Sequence, residues 1–275
     1  MARLKYSRLV VPRKARDDAL IGILSLFDPL GFEERGPDLV ACFRDAVDAR
    51  AAGRELESSG VRHELVTDIP EEDPFEAYRA ASRPFPVGVR FWVDPGPPTD
   101  APAPAGRIAL RLPASRAFGT GGHESTRLAL ASLEEEPLDG ESVLDVGTGS
   151  GVLALAAAAL GARRAVGFDS DVEAVFVARE NLVLHPFGNR VTLAACGPAA
   201  LTGSFAVVVA NLLPDELLPI RASLWARVAP KGRLIVSGIP AEREGEVVPR
   251  LRGRRGMLAG CRRENGWTCV TLERG

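Results

Sequence analysis

The stretch Val143-Leu144-Asp145-Val146-Gly147-Thr148-Gly149-Ser150-Gly151 decides the fold. Val143, Leu144 and Val146 form a short apolar run, the pattern of a buried strand, and the glycines behind them form a tight turn. Val152-Leu153-Ala154-Leu155-Ala156-Ala157-Ala158-Ala159-Leu160 follows, a strong helix former that stops at Gly161. The unit is therefore strand, glycine loop, helix. Glycine suits such a loop because a backbone without Cβ permits positive φ and lets a ligand approach closely.

The ligand follows from the spacing. A dinucleotide fingerprint needs G-x-G-x-x-G. Here the glycines stand at 147, 149 and 151, and Val152 occupies the place of the third fingerprint glycine. Asp145, at the strand end, would repel a pyrophosphate. It is compatible with a cationic ligand that carries no phosphate, and S-adenosylmethionine, with its sulfonium and ammonium groups, is such a ligand. A carboxylate about 20 residues past the loop takes ribose hydroxyls, and Asp169 supplies it at the end of the apolar run Ala165-Val166-Gly167-Phe168. The competing reading is an ordinary βαβ unit with no ligand. It accounts for the strand and helix but not for the agreement of loop, helix and second-strand acid.

The chain of 275 residues has room for one large domain or two smaller ones. Its apolar content of 46% and charged content of 25% are those of an ordinary soluble globular protein. A net charge of −2 gives no global field toward nucleic acid or an acidic membrane. Lys5, Lys14 and Lys231 are the only lysines, and arginine carries the rest of the positive charge. Cys42, Cys196, Cys261 and Cys269 form no C-x-x-C pair, so free thiols are expected rather than a metal site or disulfides. Met1 to Pro12 lacks the apolar core of a signal peptide, and no apolar run approaches the roughly 20 residues that span a bilayer. A cytoplasmic protein without a membrane or direct nucleic-acid partner is the default.

In the N-terminal third, Tyr6–Val11 reads as a strand and Asp17–Phe27 as a helix, with Leu20, Ile21, Ile23, Leu24 and Phe27 at helical spacing. Gly31–Glu34 and Leu39–Phe43 read as strands around a Gly36-Pro37-Asp38 turn, Ala46–Ser58 as a helix, and Arg62–Val66 as a strand. The order β-α-β-β-α-β gives a small ferredoxin-like α+β unit over 1–70. It holds no catalytic constellation, and His63 reads as a surface position. Ile69–Asp73 reads as a Pro- and acid-rich break. The Pro-rich stretch 71–105 reads as a linker that becomes the edge of the next domain, with a helix turn at Phe75–Ala81 and a strand at Gly88–Val93. The domain 106–275 follows. Six basic residues in the first 16 read as a solvated face.

Ile108–Leu112 looks like a strand. Ala117-Phe118-Gly119-Thr120-Gly121-Gly122-His123-Glu124-Ser125-Thr126 comes next and leads into an apolar helix through Leu133. A loop entering a helix N-terminus presents N–H donors and hydroxyls. Ser125 and Thr126 either cap that helix or contact a ligand; the residues alone leave both open.

Ala117–Thr126, Asp145–Gly151 and Ala210-Asn211-Leu212-Leu213 together resemble the ribosomal protein L11 methyltransferase family. The spacing of Thr126, Gly147, Asp169 and Asn211 is family-like. So are Val228–Ile239 and the terminal Gly266-Trp267-Thr268. The glycine loop alone would indicate only a methyltransferase; the Phe-Gly-Thr-Gly loop with its histidine is the specific part. The resemblance implies a Rossmann-like, seven-stranded methyltransferase sheet. It implies that Thr126, Gly147, Asp169 and Asn211 contact S-adenosylmethionine, and that the N-terminal unit recognises L11; the loop itself adds Gly149, Gly151 and Asp145 to the cofactor-binding candidates. The chain departs from the family pattern at Pro113-Ala114-Ser115, at Glu124-Ser125-Thr126, at Ala206 and at Asp94-Pro95-Gly96.

Asp171–Leu184 reads as a helix that Asp171 opens, with Asn181 as an ordinary polar helix residue. Val191–Ala195 is a strand whose end meets the adenine in this family, and Cys196-Gly197 is a candidate lining for that pocket. Phe205–Asn211 is near-continuously apolar, as a parallel strand buried on both faces should be. Asn211 at its carboxyl end lies where open α/β sheets bind ligands. Arg233–Ser237 is a fifth strand, and Met257–Arg263 with Trp267–Leu272 form an antiparallel pair. Arg250, Arg252, Arg254 and Arg255 read as a solvated basic edge.

Methyl transfer from a sulfonium is an in-line displacement in which the enzyme mainly positions the nucleophile. An amine must first lose its proton. His123 is the only histidine in the motif loops and reads as shaping the loop. Asn211 and the Thr120 loop are the candidates to orient the amine. The expected function is methylation of lysine or N-terminal amines of ribosomal protein L11 by a monomer, with no metal. The alternatives are a methyltransferase for another protein or a small amine, and a non-catalytic cofactor-binding module.

Overall fold

The computed structural model describes residues 5–12, 17–35, 37–70, 76–97, 101–113, 121–200, 202–254 and 256–275. The chain forms two compact units, Met1–Pro74 and Phe75–Gly275.

In the first unit, β1 (Lys5–Pro12), α1 (Asp17–Ser25), β2 (Gly31–Arg35), β3 (Asp38–Phe43), α2 (Ala46–Ser58) and β4 (Glu64–Pro70) follow one another. The antiparallel sheet has the order β2-β3-β1-β4, the ferredoxin-like arrangement. Leu9, Val11, Leu39, Ala41 and Phe43 turn one sheet face onto Leu24 of α1 and onto Ala49, Ala52 and Leu56 of α2. Asp45 caps α2 by accepting from the N–H groups of Val47 (2.7 Å) and Asp48 (3.1 Å). The break expected to begin at Ile69 is instead the end of β4, where Ile69 pairs with Tyr6 and Pro70 with Lys5. β4 is an edge strand, so a proline at its end removes no donor from a central ladder. His63, expected on the surface, is half-buried, because its ring lies over the bare Cα of Gly53 in α2.

The second unit opens with α3 (Glu76–Ala81), β5 (Phe85–Val87), β6 (Phe91–Asp94) and β7 (Ile108–Arg111). The single strand expected at Gly88–Val93 is a hairpin between β5 and β6. Gly88 turns it with φ +53, and a Cβ there would strike the Glu134 carboxylate. Glu134 accepts from the N–H groups of Val89 (2.9 Å) and Arg90 (3.0 Å), which fixes the turn from 45 residues away. β6 pairs with β7 in parallel to complete a three-stranded sheet.

Then come α4 (Glu124–Leu133), β8 (Ser142–Val146), α5 (Val152–Ala159), β9 (Arg164–Asp169), α6 (Val172–Val183), β10 (Val191–Ala195), β11 (Phe205–Asn211), α7 (Pro214–Arg227), β12 (Val228–Pro240), α8 (Glu244–Arg252), β13 (Gly256–Glu264) and β14 (Trp267–Arg274). The large sheet runs β10-β9-β8-β11-β12-β14-β13, seven strands, of which β14 alone runs antiparallel to the rest. The Rossmann-like sheet expected from the motifs is thus present. Strand alternation sorts the core into two layers. Val143, Val207, Val209 and Ile235 face Leu130 of α4, Leu155 of α5, and Phe91 and Leu110 of the small sheet. Leu144, Val208, Ala210 and Leu234 face Leu217 and Trp225 of α7 and Leu251 of α8. β12 is longer than the expected Arg233–Ser237, because its pairing with β11 starts at Val228 and resumes at Arg233 past a bulge.

This order places a topological switch between β8 and β11. From β8 the chain winds outward through β9 and β10, then crosses back to β11 and β12. The crevice beyond the carboxyl ends of those two strands is where such sheets bind ligands.

Candidate active site

A cavity of about 620 Å³ lies at that switch point. The carboxyl ends of β8, β9 and β11 deliver Gly147, Asp169 and Asn211 to it, and the first turn of α4 delivers Ser125 and Thr126. Leu212, Leu213, Glu216 and Ile220 come from the β11–α7 connection and α7, and Trp267 from the start of β14. Among the described residues no lysine or arginine lines it.

The glycine loop is held from three sides. Asp169 accepts the Gly149 N–H through Oδ2 (3.0 Å) and the Asp171 N–H through Oδ1 (3.0 Å). Asp171 in turn caps α6 by accepting from Glu173 N–H at 2.9 Å, the helix role read from sequence. Asn181, read as an ordinary polar helix residue, is buried and donates from Nδ2 to the Ser150 carbonyl at 2.9 Å. Gly147 has φ +69, and a Cβ on it would lie 2.6 Å from Leu212 Cδ2, so the loop and the β11–α7 connection close on each other only without a side chain there.

Asp145 is the third support. It is fully buried and does not line the cavity. Its Oδ2 accepts the Thr148 hydroxyl (2.6 Å) and the Ala154 N–H (3.1 Å). The N-cap of α5 is Gly151, which has no side chain to offer, and Asp145 satisfies the third-residue N–H in its place. Oδ1 has no donor among the described residues. Burial pushes the Asp145 pKa up from 3.8 to about 7; the Thr148 and Ala154 bonds oppose the rise, and the Asp169 charge adds to it. Gly151 likewise does not line the cavity. Asp145 and Gly151 therefore stand behind the loop, while Gly147, Gly149, Asp169, Thr126 and Asn211 face the space. Thr120 lies outside the described residues. The β10 side of the cavity is closed by Pro198, not by Cys196 or Gly197.

Asn211 donates from Nδ2 to Thr126 Oγ1 at 3.1 Å. That bond leaves the amide oxygen as the acceptor presented to the cavity. Neither Ser125 nor Thr126 caps α4. His123 does, with Nδ1 accepting from the Ser125 N–H at 3.3 Å and lying 2.8 Å from Ser125 Oγ. Its ring stands edge-on to Trp267, centroids 4.8 Å apart. The loop-shaping part read for His123 fits this geometry. The Ser125 carbonyl accepts from Ser237 Oγ at 2.7 Å, which ties α4 to β12.

One support carries no sequence signature. His185 is buried; its Nδ1–H donates to the Asn181 carbonyl (2.8 Å) and Nε2 accepts the Arg111 N–H (2.9 Å). β7 is thereby linked through α6 to the glycine loop. Burial holds the His185 pKa below its ordinary value; the Asn181 bond opposes this and Arg111 adds to it. None of Cys42, Cys196, Cys261 and Cys269 is in a disulfide. Among the described residues no cluster could hold a metal, and no helix is long and apolar enough to cross a membrane.

A family model described as ribosomal protein L11 methyltransferase (PrmA) matches residues 35–275. A protein named ribosomal protein L11 methyltransferase from Geobacter metallireducens is 42% identical over 210 residues, 76% of this chain and 69% of that protein. One of the same name from Geotalea daltonii is 36% identical over 241 residues, 83% of this chain and 76% of its own. The crystal structure of ribosomal protein L11 methylase from Lactobacillus delbrueckii subsp. bulgaricus superposes with a TM-score of 0.63 at 28% identity, over 70% of this chain and 99% of that one. Sheet order, switch-point cavity and these matches define a methyltransferase of the S-adenosylmethionine-dependent, Rossmann-like class. Within it, the chain belongs to the ribosomal protein L11 methyltransferase family.

Proposed function

We propose that this chain transfers methyl groups from S-adenosylmethionine to amino groups of ribosomal protein L11, lysine side chains or the N-terminal amine. It does so as a monomer in the cytoplasm, with the N-terminal unit recognising the protein substrate. The observation that carries the chemistry is Asn211, tethered through Thr126 in a cavity lined by carboxylates and apolar groups and, among the described residues, by no lysine or arginine.

The cavity fits the cofactor. It suits a cation without phosphate, since Asp169 lines it and Asp145 lies buried beneath the loop. Asp169 would take the ribose hydroxyls, and Gly147 and Gly149 would admit the ligand against bare backbone. Thr126 would contact it from α4. When bound, the cofactor supplies an activated methyl group on a sulfonium.

The protein's share is to bring a neutral amine into line. A lysine amine starts near pKa 10.4, and the apolar surroundings of Leu212, Leu213 and Trp267 favour the form without charge. The amide oxygen of Asn211 accepts one amine N–H, which aims the nitrogen lone pair away from Asn211 and along the cavity. Thr120, from the preceding loop, is assigned the second contact to the amine. Incubating L11 and S-adenosylmethionine with wild type and with Asn211→Ala tests this. Methylation by wild type that falls about a hundredfold in the variant supports the reading; equal turnover removes Asn211 from it.

A further inference from the structure

We propose that Glu216 selects the substrate as its protonated form, so that the cavity admits an ammonium group before the amine is deprotonated. This rests on the amine-methyltransferase reading above.

Two carboxylates line the cavity, Asp169 and Glu216. Both oxygens of Asp169 already accept backbone N–H groups, from Gly149 and Asp171. Glu216 differs. Its Oε2 accepts the Leu213 N–H at 3.2 Å, which anchors the side chain at the first turn of α7, while Oε1 has no partner among the described residues. Glu216 is exposed at the solvent side of the lining, beside Leu213, which is 51% exposed. The anchored carboxylate thus stands five residues beyond Asn211, next to an apolar surface, and among the described residues no lysine or arginine shares the lining.

At neutral pH an amine near pKa 10.4 arrives almost wholly as a cation. An anchored carboxylate attracts it, and the leucine and tryptophan surface receives the methylene stem of a lysine. Glu216 is not suited to take the proton. Its negative charge favours the cation over the neutral amine. Its contribution therefore belongs to the encounter complex and is lost as the amine moves to Asn211 and releases its proton to water. An interaction made in the bound ground state and lost before the transition state lowers KM and kcat together and leaves kcat/KM unchanged.

The test is Glu216→Gln, which keeps an acceptor for the Leu213 N–H and removes the charge. Calorimetry on protein saturated with S-adenosylhomocysteine would measure binding of a short lysine peptide and of the same peptide with norleucine. The wild type should bind the lysine peptide roughly fivefold more tightly than the variant, the scale of one partly exposed ion pair, and that gap should close in high salt. With L11, KM and kcat should rise together by up to a similar factor at nearly unchanged kcat/KM, and S-adenosylhomocysteine affinity should stay within about twofold. Equal lysine-peptide binding by the two proteins, with wild-type amine methylation intact, overturns the assignment to Glu216 alone. So does a loss that falls on S-adenosylhomocysteine, or a norleucine peptide bound as tightly as the lysine one. Methylation by wild type of a hydroxyl or carboxyl group and no amine overturns both this and the reading it rests on.

Discussion

Replacing Asp145 with asparagine separates what the buried carboxylate costs the fold from what it does for the loop. Its pKa stands at about 7 in the folded chain against an ordinary 3.8. The sign follows directly. Below the ordinary value both states hold the proton and the group is neutral to stability. Between the two values the unfolded chain has released its proton and the folded chain has not, so stability falls as pH rises. Above about 7 the full penalty is present, about 4 kcal/mol by the proton linkage relation. Asparagine removes that titration. Its Oδ1 can still accept from Thr148 and Ala154, but its Nδ2 then sits buried with no acceptor, at a cost of about 1–3 kcal/mol. Asp145→Asn should therefore be the less stable protein near pH 4 and the more stable one near pH 8, by about 1 kcal/mol or more in each direction. Denaturant titrations of both proteins at those two pH values, followed by fluorescence, measure the difference. Cofactor affinity should fall in the variant, because a negative charge beneath a cationic ligand is gone. A stability difference of the same sign and size at both pH values would refute the reasoning.

Other outcomes follow from the same geometry. Thr126→Val, which removes the acceptor of Asn211 Nδ2, should lower kcat by about tenfold with cofactor affinity less affected, read by steady-state kinetics and calorimetry. Asp169→Ala releases the N–H groups of Gly149 and Asp171 as well as the proposed ribose contact, so S-adenosylhomocysteine binding should weaken by about a hundredfold in a calorimetric titration. His185 is neutral and its pKa is lowered, so its stabilising part is full above the ordinary 6.5 and is lost as pH falls below it; His185→Gln should flatten that acid limb of the unfolding curve. Gly147→Ala combines φ +69 with contact on Leu212 and should cost about 1–2 kcal/mol in denaturant unfolding while reducing cofactor binding.

What was legible in the chain was what local pattern carries. The run from Val143 to Leu160 specifies strand, loop and helix within one window, and the apolar Phe205–Asn211 specifies a strand buried on both faces. The positions facing the cavity, Thr126, Gly147, Asp169 and Asn211, share one edge of the sheet because each ends a strand or opens a helix there. What escaped were partnerships made across long loops. The turn at Gly88 is set by Glu134, the part played by Asn181 by the Ser150 carbonyl, and that of His185 by Arg111; no periodicity records such pairs. Asp145 was read as a charge facing the ligand. The alternation of β8 buries it instead, so its effect reaches the cavity through Thr148 and the α5 N-terminus. Helix α7, with Pro219 inside it, has no clear apolar stripe, and the lining it supplies through Glu216 and Ile220 had no motif to announce it.

The most direct test of the account is intact-mass spectrometry of purified ribosomal protein L11 after incubation with this protein and S-adenosylmethionine. The account predicts mass gains in whole methyl steps, mapped by fragmentation to lysine or N-terminal amines, that vanish with Asp169→Ala. Unchanged L11 mass, from a preparation that binds the cofactor in calorimetry, would contradict the assignment of L11 as the substrate.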